Sequence, residues 1–113
     1  VPAAKATDWV KQWFDRYNTQ PLATNPSSPH AVADYFKLVD DYVASSHRQV
    51  YMGEFAALDT VGPTSRDTWL RLVRTEAERR HIGWAYWDDG GHNQALDVAH
   101  GSWLPALKHA LFE

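Results

Sequence analysis

Two short apolar runs, "QVYMGEF" (Gln49–Phe55) and "HIGWAYW" (His81–Trp87), stand either side of one helix-like segment, and this arrangement limits the fold more than any other feature of the chain. Both runs are rich in the β-branched and aromatic residues that suit a pleated, half-buried surface. A strand–helix–strand unit of this spacing is a parallel pair joined by a right-handed crossover. The predicted fold class is therefore α/β, with two parallel strands at about 49–55 and 82–87 and flanking helices. Two parallel strands do not make a stable sheet alone: parallel sheets are normally covered on both faces, and here both edges would be open. The expectation is that the sheet is completed either by strands from another molecule or as part of a larger sheet.

Four helices are predicted around these strands. Residues 7–17, "TDWVKQWFDRY", place Trp9, Val10, Trp13, Phe14 and Tyr17 at helical spacing, with Thr7 or Asp8 as cap. The polar stretch from Asn18 to Pro29 contains three prolines and reads as a surface loop. Ser28–Pro29 is an N-cap and N1 pair for a helix to about Ser45, with Val32, Tyr35, Phe36, Val39, Tyr42 and Val43 on one face. After the breakers Gly62 and Pro63, Thr64 or Ser65 caps a helix facing inward through Trp69, Leu70, Val73 and Ala77. The turn "DDGGHN" follows the second strand. A last helix is expected from near Ser102 to about Phe112, with Trp103, Leu107, Ala110 and Leu111 inward.

The 113 residues fit one domain. An apolar fraction of 44% allows a core and argues against disorder. A net charge of −3 gives no electrostatic case for nucleic acid or an anionic membrane surface. No apolar run approaches the roughly 18 residues of a membrane helix. The absence of cysteine removes disulfides and thiolate metal sites. The six histidines show no HExxH-type spacing, so no metal site is expected at His81, His92, His100 or His109. No cofactor is expected. The chain opens "VPAAKATDW", without an initiator Met or an apolar leader, which reads as a processed protein or a piece of a longer one.

The end of each strand carries the residues of interest. Alternation puts Val50, Met52 and Glu54 on one side and Tyr51, Gly53 and Phe55 on the other. On the second strand Trp87 shares a side with Gly83 and Ala85, while Ile82, Trp84 and Tyr86 face helices. Trp84 is then core and Trp87 an exposed platform on which a sugar ring could stack. A carboxylate at a strand end is either a structural acid or a catalytic group, and Glu54 fits both from spacing alone. Asp88 and Asp89 read first as turn formers before Gly90–Gly91. The second reading lets Asp88 or His92 line a cleft and touch sugar hydroxyls.

Four motifs in order resemble glycoside hydrolase family 5, the cellulase family of (β/α)8 barrels. "VYMGEFA" is similar to its seventh strand, with Ala56 where glycine is common. "GWAYW", Gly83–Trp87, is similar to its eighth. "SRDTW", Ser65–Trp69, resembles the opening of its seventh helix, and "GSWLPALKHAL" its closing Gly-x-Trp and Leu-rich helix. The resemblance covers about residues 30–113, from helix six to helix eight, and implies that 1–29 are the helix and loop after strand six. The chain would then be the C-terminal part of a (β/α)8 barrel, where chemistry sits at the C-terminal ends of strands. The resemblance implies Glu54 as nucleophile and Trp87 as the aromatic platform. It also implies a β-linked polysaccharide or oligosaccharide as substrate, a secreted or periplasmic location, and the rest of a barrel or a self-associated copy as partner.

One element is missing. A retaining glycosidase needs two carboxyls about 5 Å apart, and the family's acid/base glutamate follows an asparagine at the end of strand four. The chain contains no Asn-Glu pair, and Glu76, Glu78 and Glu113 lie in or at the ends of helices. Three functions follow: a retaining endo-β-1,4-glucanase-type hydrolase seen as a C-terminal segment, a non-catalytic assembly remnant, or a glycan-binding module. The segment alone is expected to be inactive.

Overall fold

The computed structural model of the protein describes residues 7–26 and 28–113. Residues 1–6, which open the stretch read as a connection after strand six, and Ser27 in its proline-rich loop lie outside the described residues. The elements run α1 (Asp8–Thr19), a 3-10 turn (Leu22–Thr24), α2 (Pro29–Ser46), β1 (Tyr51–Phe55), α3 (Pro63–Arg79), β2 (Gly83–Tyr86), β3 (Leu96–Asp97), β4 (Ser102–Trp103) and α4 (Pro105–Phe112).

Local chemistry sets most of these limits. Ser28 Oγ accepts the Ala31 N–H at 3.2 Å, and Pro29 follows at N1, as the sequence predicts. The α2 helix stops at His47, whose left-handed φ of 56° breaks the helical run. The start of α3 differs from expectation. Gly62 is its N-cap and Pro63 its first residue, so Thr64 and Ser65 lie inside the first turn rather than capping it. Proline's fixed φ is already helical, and its missing N–H costs nothing at that position. A proline also moves the start of α4. Pro105 disfavours a helical Leu104, which is extended at ψ 123°, so the helix begins at Pro105 rather than near Ser102.

β1 and β2 pair in parallel, with Tyr51 opposite Gly83, Met52 opposite Trp84 and Phe55 opposite Tyr86. The register shifts between Met52 and Phe55, where β1 holds one residue more than β2. This bulge corrects the alternation expected for β1. Met52 and Phe55 both pack into the helix-side core. Tyr51 is 62% exposed on the other face, where its ring lies close enough to Gly83 that an added Cβ would sit 3.1 Å from it. β3 and β4 form a small antiparallel pair, Leu96 with Trp103 and Asp97 with Ser102, that the sequence reading did not include. Trp103 therefore belongs to a strand and is not an inward helix residue. It packs edge-on against Phe112, ring centroids 5.0 Å apart.

The core lies between the helix side of the sheet and α3 and α4. Phe55, Leu70, Val73, Ala95, Leu107, Ala110 and Leu111 are buried together. Of the face predicted for α3, Leu70, Val73 and Ala77 are buried, but Trp69 is exposed. On α2, Val32 and Phe36 pack against the core, whereas Tyr35, Tyr42 and Val43 are exposed. Neither α1 nor α2 buries a residue fully. The reason is geometric: α2 packs mainly along α3, so only part of its apolar face is covered. No helix among the described residues is long and apolar enough to cross a membrane.

Candidate active site

Glu54 is the penultimate residue of β1, at the end where the parallel strands finish. Its neighbour Phe55 is buried, while Glu54 is exposed, because the bulge turns it off the helix-packed face. Bulges beside functional sites re-aim a side chain in this way. Among the described residues no hydrogen bond or ion pair holds its carboxylate.

Trp87 follows β2 directly. Its N–H donates to the Phe55 carbonyl at 3.0 Å, so the residue after Glu54 and the backbone of Trp87 share one ladder bond. The Trp87 side chain is 51% exposed. Trp84 and Tyr86 take the opposite side. Each meets the Phe55 ring edge-on, with centroids 5.5 and 5.8 Å away, and Ile82 is buried. The facing predicted along "GWAYW" thus describes the strand.

The loop from Asp88 to Ala95 is built on its two aspartates. Asp88 Oδ1 accepts the Gly90 N–H and Oδ2 the Ala95 N–H, at 2.8 and 2.9 Å. Those Ala95 and Gly90 amides hold its carboxyl below its ordinary value. Asp89 accepts from the Gly91 and Asn93 N–H groups, which lower its pKa likewise. Both residues are turn formers here; Asp88 directs both oxygens to backbone amides and also lines a cavity of about 320 Å3 with Trp84, Tyr86 and Trp103. The exposed His92 bonds Asp59 Oδ1 through Nδ1 at 2.9 Å, and its carbonyl accepts the Asp59 N–H at 2.8 Å. The loops that follow β1 and β2 are joined by this pair. His100 pairs with Asp97 and His109 with Asp67 in the same manner.

Sequence reasoning missed three participants. Asp59 holds His92. Arg66, buried in α3, donates from Nη2 to the Tyr86 hydroxyl and the Gln94 carbonyl. The Tyr86 hydroxyl in turn donates to the Asn93 carbonyl at 2.7 Å. The one signal for Arg66 was its place on the apolar face of α3, four residues before Leu70, where a charged group must have partners.

A parallel strand pair with helices packed behind it matches a fragment of a (β/α)8-barrel glycoside hydrolase. The solved structures agree. The chain is similar to the cellulose synthase subunit Z (CcsZ) of Clostridioides difficile, at 28% identity and a TM-score of 0.71, over 75% of this chain and 28% of that one. It is similar to endoglucanase Cel5A of the hyperthermophile Thermotoga maritima, at 25% identity and a TM-score of 0.72, over 96% of this chain and 34% of that one. A hyperthermophilic endo-β-1,4-glucanase solved with its substrate matches at 26% identity and a TM-score of 0.69, over 75% of this chain and 28% of that one. The chain thus resembles family 5 cellulases in fold and spans about a third or less of the length of these structures. No family model matches it, and no curated protein matches it.

Proposed function

We propose that this chain is the C-terminal segment of a retaining endo-β-1,4-glucanase-type glycoside hydrolase, with Glu54 as nucleophile and Trp87 as sugar platform. In this reading, 1–29 are the helix and loop after strand six, 30–113 run from helix six to helix eight, and the whole protein acts outside the cytoplasm, secreted or periplasmic. The carrying observation is the exposed Glu54 at the end of β1, whose next residue, Phe55, accepts the Trp87 N–H. Glu54 would attack the anomeric carbon of a β-linked glucan and form a glycosyl-enzyme. Trp87 would stack on the ring as charge develops in the oxocarbenium-like transition state. Protonation of the leaving oxygen would fall to a carboxyl supplied by the remainder of the barrel, either as the same polypeptide or as an associated partner.

A second reading, a non-catalytic glycan-binding or assembly remnant, draws on one observation. The other carboxylates of the loops after β1 and β2 are engaged: Asp59 by His92, and Asp88 and Asp89 by backbone amides. Hydrolysis of a soluble cellulose derivative separates the two. The 113-residue chain alone is expected to be inactive. Combined with the rest of the barrel it is expected to be active, and Glu54→Gln should then lower kcat by several orders of magnitude. Near-normal kcat in that variant would remove Glu54 from the mechanism, and absence of activity in the assembled barrel would favour the second reading.

A further inference from the structure

Arg66 reaches the β2–β3 loop by two hydrogen-bonded routes. Its Nη2 donates to the Gln94 carbonyl at 3.1 Å and to the Tyr86 hydroxyl at 2.9 Å. The same hydroxyl donates onward to the Asn93 carbonyl at 2.7 Å. Arg66 also lines a cavity of about 290 Å3 with Asp59, the residue that clasps His92, and with residues at the start of α4. Arg66 is 5% exposed, and its Nε has no partner. Burying a cation with one orphaned donor is costly. A residue serving the core alone would be replaced by an apolar side chain at less cost.

What Arg66 holds is the loop whose two ends matter. Trp87 begins it, and His92 projects from its tip toward the loop after β1. The Asp88 and Asp89 bonds make the loop rigid within itself, but they do not tie it to α3. Arg66 and Tyr86 do, through the carbonyls of Asn93 and Gln94. We propose that Arg66, acting with the Tyr86 hydroxyl, is a positioning residue that sets Trp87 and His92 against the Glu54 end of β1. This rests on the reading of that end as a glucan cleft, and it adds a residue that touches no sugar itself.

The test uses the full 113-residue chain with 5-fluorotryptophan, the Trp87 resonance being assigned from Trp87→Phe. Amide exchange is followed at Gly91 and Asn93 in the loop and at Leu70 in the core, and cellotetraose affinity is measured by calorimetry. Arg66→Met is expected to broaden or split the Trp87 signal. It should speed exchange at Gly91 and Asn93 tenfold or more while Leu70 keeps its protection, and weaken cellotetraose binding about tenfold. If Arg66→Met does not fold, Tyr86→Phe removes only the hydroxyl and should move the same readouts in the same direction, by less. An unchanged Trp87 signal with unchanged loop exchange overturns the proposal. A loosened loop with unchanged affinity overturns it as well, leaving Arg66 a purely structural brace. If the unsubstituted chain binds no oligosaccharide alone, affinity is measured with the rest of the barrel added; no binding there ends the glucan reading, and the fluorine and exchange results still decide whether Arg66 positions Trp87.

Discussion

The two halves of the molecule use their apolar residues differently. From β1 onward, α3 and α4 close over one side of the sheet, and Leu70, Ala77, Leu107 and Ala110 are 2% exposed or less. Before β1, the two helices bury nothing fully, and Trp9, Tyr35 and Leu38 are between 66% and 70% exposed. Composition does not explain the contrast, since both halves carry helical apolar faces. The difference is the number of neighbours. α3 has the sheet, α2 and α4 against it, while α2 meets chiefly α3 and the 3-10 turn. A face with helical spacing but little cover is open to a surface outside the chain, and under the proposed function that surface is the rest of a barrel of which two parallel strands are seen here. A closed barrel of this type needs about eight.

The largest effects should separate the two halves. Leu70→Ala or Leu107→Ala removes a buried side chain and should lower the unfolding free energy by about 2–5 kcal/mol. Tyr35→Ser or Leu38→Ser should change it by no more than about 0.5 kcal/mol. Urea unfolding of the four variants measures this, and equal losses in both halves would erase the contrast. Next in size is association. The uncovered faces and the free sheet edges should make the chain self-associate as concentration rises. The triple substitution of Tyr35, Leu38 and Tyr42 by Ser should shift light scattering toward the monomer. A concentration-independent monomer in the unsubstituted chain would show that α2 needs no cover.

How far the sequence could be read follows the same division. The strand–helix–strand unit, its parallel sense, the Ser28–Pro29 start and the facing of Trp84 against Trp87 were legible, because each depends on local periodicity or one capping residue. The facing of β1 was not. A bulge adds one residue and reverses every side chain beyond it, and "YMGEF" contains no turn residue except Gly53 to signal it. The start of α4 was misplaced because Trp103 fits helical spacing, although Pro105 holds Leu104 extended. The β3–β4 pair is two residues per strand, too short for alternation to register. At the candidate site, Glu54 and Trp87 came from motif and strand-end position. Asp59, Arg66 and Tyr86 did not, since their bonds join residues separated by 7 to 33 positions along the chain.

The two tryptophans of β2 sharpen the comparison within a few residues. Trp84→Ala should cost about 3 kcal/mol, the lower end for loss of a packed aromatic, because Trp84 is only half-buried. Trp87→Ala should change stability by about 0.5 kcal/mol or less yet weaken cello-oligosaccharide binding more than Trp84→Ala does. Melting curves and calorimetric titrations of both variants give the ranking, and the reverse order would mean that Trp87 is a structural residue. The smallest effect is on pH. The Asp88 carboxyl is held below its ordinary 3.8 by the Ala95 and Gly90 amides. A group with a lowered folded pKa adds stability above its unfolded value, and that stability is lost as pH falls through the folded value. Amide protection of Gly90 and Ala95 should therefore drop in acid below pH 3.8. In Asp88→Asn it should be lower at neutral pH and flatter through this range. An acid limb unchanged by the substitution would assign the effect to another group.

The central claim is that Glu54 is a nucleophile. An activated 2-deoxy-2-fluoro-β-cellobiosyl fluoride tests it without the missing acid/base, because fluoride departs without protonation while the 2-fluorine slows release of the glycosyl-enzyme. Intact-mass and peptide-level mass spectrometry after incubation with the chain should show one fluorocellobiosyl adduct, located on Glu54 and absent from Glu54→Gln. An adduct on another residue, or none on the folded chain and none when it is combined with the rest of the barrel, would contradict the account.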